Sequence, residues 1–190
     1  LEHVYYPEDF LNKVRNSLPI GGRFIFGYPN LDFLFSNKFT NAINFEHTML
    51  MTEYYVDYFL SKTGFKLLKK VNYENHSHFY SVEKVEKKLL NFKFENKYSK
   101  YKEMFIDFIS HHESMVKEIN LKISDSDSQI YLFGAHIFSQ YLFAFGLNSN
   151  NITSILDNSP LKIGKRLYGS NLCVESPKVL KNIKNPLVIL

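Results

Sequence analysis

The last third of the chain alternates short apolar runs with a helical pattern, and this alternation constrains the fold more than any other feature. Strand-like runs at residues 130–133 and 152–156 flank a helical pattern at residues 137–145. Two parallel strands of one sheet need a crossover of this kind between them. A further run at residues 171–174, a helix opened by Pro177 and an apolar chain end extend the pattern. A parallel α/β sheet is therefore predicted.

The first part of the chain follows a different order, in which helices precede a pair of strands. Pro7 opens a helix that ends before two glycines, and a strand follows at residues 23–28. Thr52 is the predicted cap of a second helix that ends at Gly64. The strands predicted at residues 65–72 and 78–85 are separated by a short turn, which favours an antiparallel pair.

A charged helical pattern and a short polar linker divide the chain. The pattern from Glu83 to about Ile123 alternates lysines with glutamates, as is typical of a solvent-exposed helix face, and a Ser/Asp linker follows it. The predicted fold class is α/β, with domains at residues 1–85 and 124–190 and a helical connector at residues 86–123. We expect the natural protein to extend in both directions, because the chain begins without Met and ends on an apolar strand.

Composition excludes several classes of function. Apolar content of 45% and charged content of 22% are typical of a soluble globular protein. The 23 basic residues are spread along the chain, so no basic stripe indicates nucleic-acid binding. The sequence has no run of 18 apolar residues, so no membrane span is predicted. The single cysteine, Cys173, excludes an intrachain disulfide and a cysteine-built zinc site, which favours a cytoplasmic location.

The pair Glu46-His47 is the strongest candidate for chemistry. It lies in the long connection after the first strand, where α/β enzymes place reacting groups. A loop histidine can remove a proton near neutral pH, and a neighbouring carboxylate can orient it; an ordinary exposed pair is the alternative. His76 and His78 stand two residues apart in an extended segment, so they are expected on one face of the same cleft, unless both are simple turn residues.

A second candidate follows the strand at residues 130–133. Gly134 stands where a dinucleotide fingerprint begins, but the second glycine of that fingerprint is replaced by His136. NAD binding is therefore not favoured, although Asp157 ends the next strand where an acid would contact the ribose. The alternatives are a helix N-terminus that receives an anion and a tight turn without a ligand. His111-His112-Glu113 lacks metal-ligand spacing, and no metal is predicted.

The order of motifs near the start resembles the second half of class I S-adenosylmethionine-dependent methyltransferases. The motifs are Glu2-His3-Val4, Pro7, Leu18-Pro19-Ile20-Gly21-Gly22 and Pro29-Asn30. Residues 41–47, Asn-Ala-Ile-Asn-Phe-Glu-His, resemble the Asp-x-Ile-Tyr-x-Glu-His segment of sugar C-methyltransferases. The tail is similar to that family's C-terminal Rossmann-like domain, in the motifs Gly134-Ala135, Asp157-Asn158-Ser159-Pro160, Lys162-Ile163-Gly164-Lys165 and Gly169.

The chain departs from the family at several positions. Asn44 replaces the family's tyrosine, Asn41 replaces its aspartate, and residues 76–78 replace a His-Gly-Gly turn. The family's zinc-binding N-terminal domain and its glycine-rich cofactor loop do not occur in these 190 residues. On their own, the 190 residues are therefore expected to be inactive.

The resemblance implies transfer of a methyl group from S-adenosylmethionine to a carbon of a nucleotide-linked keto sugar, through an enolate. It implies His47 as the base and Glu46 as its orienting partner, with His76 as a second candidate base. The residues expected to contact the substrate are Asn44, His76, His78 and Tyr28, and the residue expected to contact the cofactor is His3. The alternatives are an O- or N-methyltransferase of another small molecule and a non-catalytic nucleotide-sugar-binding protein. The oligomeric state stays open.

Overall fold

A computed structural model describes residues 1–86 and 92–190, which form two compact units. The first unit is Leu1–Phe105 and the second is Ile106–Leu190. The boundary falls inside a long helix, within the segment predicted to be a helical connector. In the described ranges no helix is both long and apolar enough to cross a membrane. A cytoplasmic location stays a prediction.

The first unit packs helices against an antiparallel sheet. Its elements are α1 (Pro7–Ser17), β1 (Arg23–Pro29), α2 (Leu31–Ser36), a 3-10 turn (Thr40–Ile43), α3 (Glu53–Lys62), β2 (Phe65–Tyr73) and β3 (Ser77–Lys84). The strand order is β1-β3-β2, and both pairings are antiparallel. The predicted strand pair at residues 65–72 and 78–85 is confirmed.

Alternation along the strands separates a buried face from an exposed one. Tyr80 and Val82 of β3 are fully buried, whereas Phe79, the neighbour of Tyr80 in the strand, is 46% exposed. The buried face packs with α1 and α3 into one apolar core, which consists of Leu11, Tyr28, Met51, Val56, Leu60, Phe65, Tyr80 and Val82. This core holds the end of β1 in place, and the connection that carries Glu46 and His47 begins after that strand.

Arg15 anchors α1 to the rest of the unit. Its guanidinium donates to the carbonyl oxygens of Gly64, at 2.6 Å, and Val85, at 2.7 Å.

The predicted cap of α3 differs from the structure. Thr52 occupies the N-cap position, but its hydroxyl makes no capping hydrogen bond; it is buried and has no partner among the described residues.

The second unit contains a parallel sheet, which confirms that part of the predicted fold class. After helix α4 (Tyr98–Ser124), which spans the boundary, its elements are β4 (Ile130–Phe133), α5 (Ile137–Ala144), β5 (Ser154–Leu156), β6 (Val174–Glu175) and β7 (Leu187–Ile189). The strand order is β6-β5-β4-β7, and all three pairings are parallel. Numbered within the unit this is 3-2-1-4, the same as the first four strands in the order 3-2-1-4-5-6 of a doubly wound sheet.

The helical pattern predicted from Glu83 to Ile123 begins too early. Glu83 and Lys84 end β3, and α4 starts only at Tyr98. The Asn96 side chain accepts a hydrogen bond from the Tyr98 backbone N–H at 2.9 Å and so sets the start of the helix. Residues 87–91 lie outside the described part of the chain.

Two predictions in the tail also need correction. The strand predicted at residues 171–174 forms only as Val174–Glu175, because residues 159–173 are taken up mostly by turns. The helix predicted after Ser176 is a short 3-10 helix, Pro177–Asn182, with the Ser176 hydroxyl accepting from the Lys178 N–H.

Candidate functional site

A cavity of about 400 Å³ lies at the end of β1 in the first unit. The structure brings four of the predicted site residues to its wall: Tyr28, Asn44, His47 and His76. Tyr28 comes from the end of β1, Asn44 and His47 from the following connection, and His76 from the turn between β2 and β3. Glu2 and Asn41 also line the cavity. A volume of this size suits one small molecule.

A tight turn over residues 44–47 positions His47. The Asn44 side chain accepts from the Glu46 N–H at 3.3 Å, and the Asn44 carbonyl accepts from the His47 N–H at 2.9 Å. The His47 Nδ1 lies 3.2 Å from the carbonyl oxygen of Ala42. Because a carbonyl only accepts, this contact requires hydrogen on Nδ1. The neutral ring therefore keeps its lone pair on Nε2, as a general base needs.

The orienting role predicted for Glu46 is not what the structure shows. Its side chain is exposed, and its carboxylate makes no ion pair or hydrogen bond within residues 1–86 and 92–190. The backbone carbonyl of Ala42 contacts the His47 ring instead. Glu46 contributes its own carbonyl oxygen, which lies 3.0 Å from Nδ1 of His3.

The segment at residues 2–3 lies directly beside the His47 loop. The carbonyl oxygen of Glu2 accepts from the Thr48 N–H at 2.8 Å and from the Thr48 hydroxyl at 3.1 Å. The rings of His3 and His47 meet edge to face, with centroids 5.2 Å apart. Sequence reasoning named His3 but missed Glu2, whose only signal was its place next to His3. Whether His3 contacts a cofactor stays a prediction.

His76 and His78 do not share a cleft, so that expectation is wrong. His76 lines the cavity, and its Nδ1 lies 2.6 Å from the Ser77 hydroxyl. His78 is 8% exposed and points into the core, where its Nε2 lies 3.2 Å from a carboxylate oxygen of Glu53. His76 lies in the turn before β3 begins at Ser77, so the strand alternation that places His78 on the buried face with Tyr80 and Val82 does not extend to His76.

Tyr28 offers a neutral phenol at the cavity wall. It is 1% exposed, and its oxygen accepts from the Met51 N–H at 3.2 Å. Burial raises the pKa of this phenol far above its ordinary value, against the smaller lowering effect of the Met51 N–H. The group therefore stays protonated at neutral pH, and its contact with a substrate stays a prediction.

His78 belongs to a separate, partly buried polar cluster of α3, β2 and β3. Lys70 contacts Glu53 and also lies 3.3 Å from Asp57. Burial raises the pKa of the Asp57 carboxyl, and Lys70 offsets part of that rise. In the described part of the chain, one Asp57 oxygen, both His78 nitrogens and the Tyr80 hydroxyl are buried without hydrogen bonds. The His78–Glu53 contact thus has the distance of an ion pair but not hydrogen-bond geometry.

In the second unit, the side chain of Asp157 fills the space at the turn before α5. Asp157 accepts from the Ala135 N–H at 2.9 Å and the Ser159 N–H at 2.8 Å, and its carboxylate pairs with Lys162 at 2.9 Å. Burial alone would raise the pKa of this carboxyl, but the three donors outweigh burial and lower it to about 2. The Asp157 carboxylate already accepts from the backbone N–H of Ala135, a donor that an external anion would otherwise use. Of the two alternatives for this segment, a turn without a ligand is therefore favoured over a site for an anion.

His136 closes the same turn from the other side. Its Nδ1 accepts from the Phe138 N–H at 3.2 Å, so the ring caps α5. Gly134 has φ +103°, and a Cβ placed there would lie 2.6 Å from Nε2 of His136. His136 thus places a side chain where the fingerprint needs its second glycine, the residue that lets a pyrophosphate approach the backbone closely. That NAD does not bind here stays a prediction.

No protein-family model matches this chain, and no curated protein matches it at a significant level. The geometry around His47 and the sequence resemblance therefore carry the case for a function.

Proposed function

We propose that the full-length protein transfers a methyl group from S-adenosylmethionine to a carbon next to the ketone of a nucleotide-linked deoxysugar. The observation that carries this proposal is the His47 ring in a cavity of about 400 Å³, held by the Ala42 carbonyl with its Nε2 lone pair available. The sequence resemblance of residues 41–47 supports the same reaction.

The residues of this chain fit the acceptor side of the reaction better than the cofactor side. S-adenosylmethionine, when bound, supplies an electrophilic methyl group on a sulfonium. The glycine-rich loop that holds it in the resembling family does not occur in these 190 residues. His3 is the one residue proposed to contact it. The steps derived for this chain are therefore those at the acceptor.

The central step is removal of a proton from the carbon beside the ketone. His47 takes the proton on Nε2, and the Ala42 carbonyl stabilises the charged ring through Nδ1. A positioned base of this kind contributes roughly 10²–10⁴-fold to a rate. Tyr28 and Asn44 line the same cavity and are proposed to hold the substrate oxygens. Loss of the proton leaves an enolate carbon that can attack an electrophilic methyl group.

His76 is the second candidate for the base. It lines the same cavity, but its Nδ1 contacts a hydroxyl, which can donate or accept. The tautomer of His76 is therefore not fixed as it is for His47. This difference favours His47.

The test uses the full-length protein, S-adenosylmethionine and a panel of nucleotide-linked 4-keto sugars in deuterated water, analysed by mass spectrometry. The expected result is the gain of one methyl group, abolished by His47→Gln. His111→Gln, at an exposed histidine of α4, is the matched control and is expected to leave turnover unchanged. Full turnover by the His47→Gln variant would show that the base lies elsewhere.

A second candidate function is O-methylation, because Asn44 stands where the resembling family has a tyrosine. Methyl gain without deuterium uptake beside the ketone would indicate this reaction. Binding of the sugar without methyl gain on any member of the panel would instead indicate a non-catalytic binding protein.

A further inference from the structure

We propose that Glu2, His3 and His47 bind a divalent transition-metal ion of the Zn²⁺ type. The proposal goes beyond methyl transfer and does not rest on it. Each of the three residues offers one metal-ligating atom, and these three atoms lie within 4.8 Å of one another. Two imidazoles and one carboxylate are a donor set that first-row transition metals favour over Mg²⁺ or Ca²⁺.

The hydrogen bonds of the two rings are those of metal ligands. Nδ1 of His47 contacts the Ala42 carbonyl at 3.2 Å, and Nδ1 of His3 contacts the Glu46 carbonyl at 3.0 Å. Both contacts require hydrogen on Nδ1, so both neutral rings present the Nε2 lone pair. A histidine that binds a metal through one nitrogen commonly donates its other N–H to a carbonyl or carboxylate.

The carboxylate is oriented toward the histidines. Glu2 Oε1 lies 3.7 Å from Nε2 of His3. Two hydrogen bonds from Thr48 to the Glu2 carbonyl hold this segment beside the His47 loop. The backbone of Glu2 is therefore held beside the His47 loop, and one carboxylate oxygen lies within 4.8 Å of a ring nitrogen of each histidine.

A small closing motion completes the coordination geometry. Metal–nitrogen bonds of about 2.1 Å hold two ligand atoms of one ion at most about 4 Å apart. The His3 side chain is 52% exposed and has room for this shift. Three protein ligands leave a coordination position open, and it adjoins the cavity, because Glu2 and His47 line that cavity.

Metal binding and the base role exclude each other at His47. An Nε2 bonded to a metal has no lone pair with which to take a proton. If both proposals hold, zinc inhibits methyl transfer. The metal measurement itself needs no substrate, so failure of one proposal is distinguishable from failure of the other.

The test titrates the metal-free full-length protein with Co²⁺, followed by visible absorption, and then displaces Co²⁺ with Zn²⁺. The expected result is one His3-dependent ion per chain, counted apart from zinc held by an N-terminal domain such as the resembling family has, and a spectrum of low coordination number for that ion. His3→Gln is expected to weaken binding by about 10-fold or more, since losing a supporting partner alone costs about 10–100-fold. Glu2→Gln is the second variant, in case one substitution disturbs the loop.

His76→Gln is the matched control, because it removes the other cavity histidine without touching the three ligands. Its metal affinity is expected to equal that of the wild type. Circular dichroism checks that each variant is folded. The absence of a His3-dependent ion would overturn the proposal, and so would equal affinity in folded His3→Gln and wild type.

Discussion

Replacing Asp157 tests whether the turn before α5 is a structural element closed by its own carboxylate. Three donors converge on this side chain, at 2.8–2.9 Å. Asp157→Ala removes the acceptor for all three and leaves the Ala135 N–H buried without a partner. An unsatisfied buried donor costs about 1–3 kcal/mol, and hydrogen bonds to a charged group contribute at the upper end. The expected loss in free energy of unfolding is therefore about 3 kcal/mol.

The contribution of Asp157 to the free energy of unfolding is expected to change with pH in one direction. The pKa of Asp157 falls from its unfolded value of about 3.9 to about 2 in the folded chain. Its contribution is thus fully present above about pH 4 and is lost as the pH falls toward 2. The difference in free energy of unfolding between wild type and Asp157→Asn is expected to be constant from about pH 5 upward and to shrink below about pH 4.

The assay is urea unfolding followed by circular dichroism, because the chain contains no Trp. Asp127→Asn, at an exposed aspartate of the same unit, is the control and is expected to change stability by less than about 0.5 kcal/mol. The reasoning is refuted if Asp157→Ala costs no more than this control, or if its effect grows as the pH falls.

Two further substitutions test the positions of single groups. Tyr28→Phe leaves the buried Met51 N–H without its acceptor and is expected to lower the free energy of unfolding by about 1–3 kcal/mol in a urea titration; no measurable change would contradict the placement of Tyr28. Gly134→Ala forces the His136 ring to move, whereas Gly146→Ala has a similar φ with open space around it. The first is expected to cost about 1 kcal/mol more than the second, and equal costs would contradict the contact.

The parts of the fold that follow local patterns could be predicted from the sequence. The strand at residues 130–133 and the helix after it have apolar runs with glycine between them, and both formed as expected. The β2–β3 pair was equally clear, because its turn residues separate two β-prone runs. The start of α4 was not predictable, because the same Lys/Glu alternation continues on both sides of Asn96.

The candidate site was predictable only in part, because its geometry depends on contacts distant in sequence. His47 and Asn44 lie in one turn and were found together. Glu2 is held there by Thr48, a contact across 46 positions that no local pattern shows. His78 was misplaced because His76 lies in the turn before β3, so only His78 follows the alternation of that strand.

The central claim is that His47 removes a proton beside a ketone, and deuterium exchange tests it most directly. The full-length protein is incubated with a nucleotide-linked 4-keto sugar in deuterated water without S-adenosylmethionine, and exchange at the carbon beside the ketone is followed by NMR. We expect the wild type and His111→Gln to catalyse exchange, and His47→Gln to be slower by about 10²-fold or more. Equal exchange rates in wild type and His47→Gln would contradict the account.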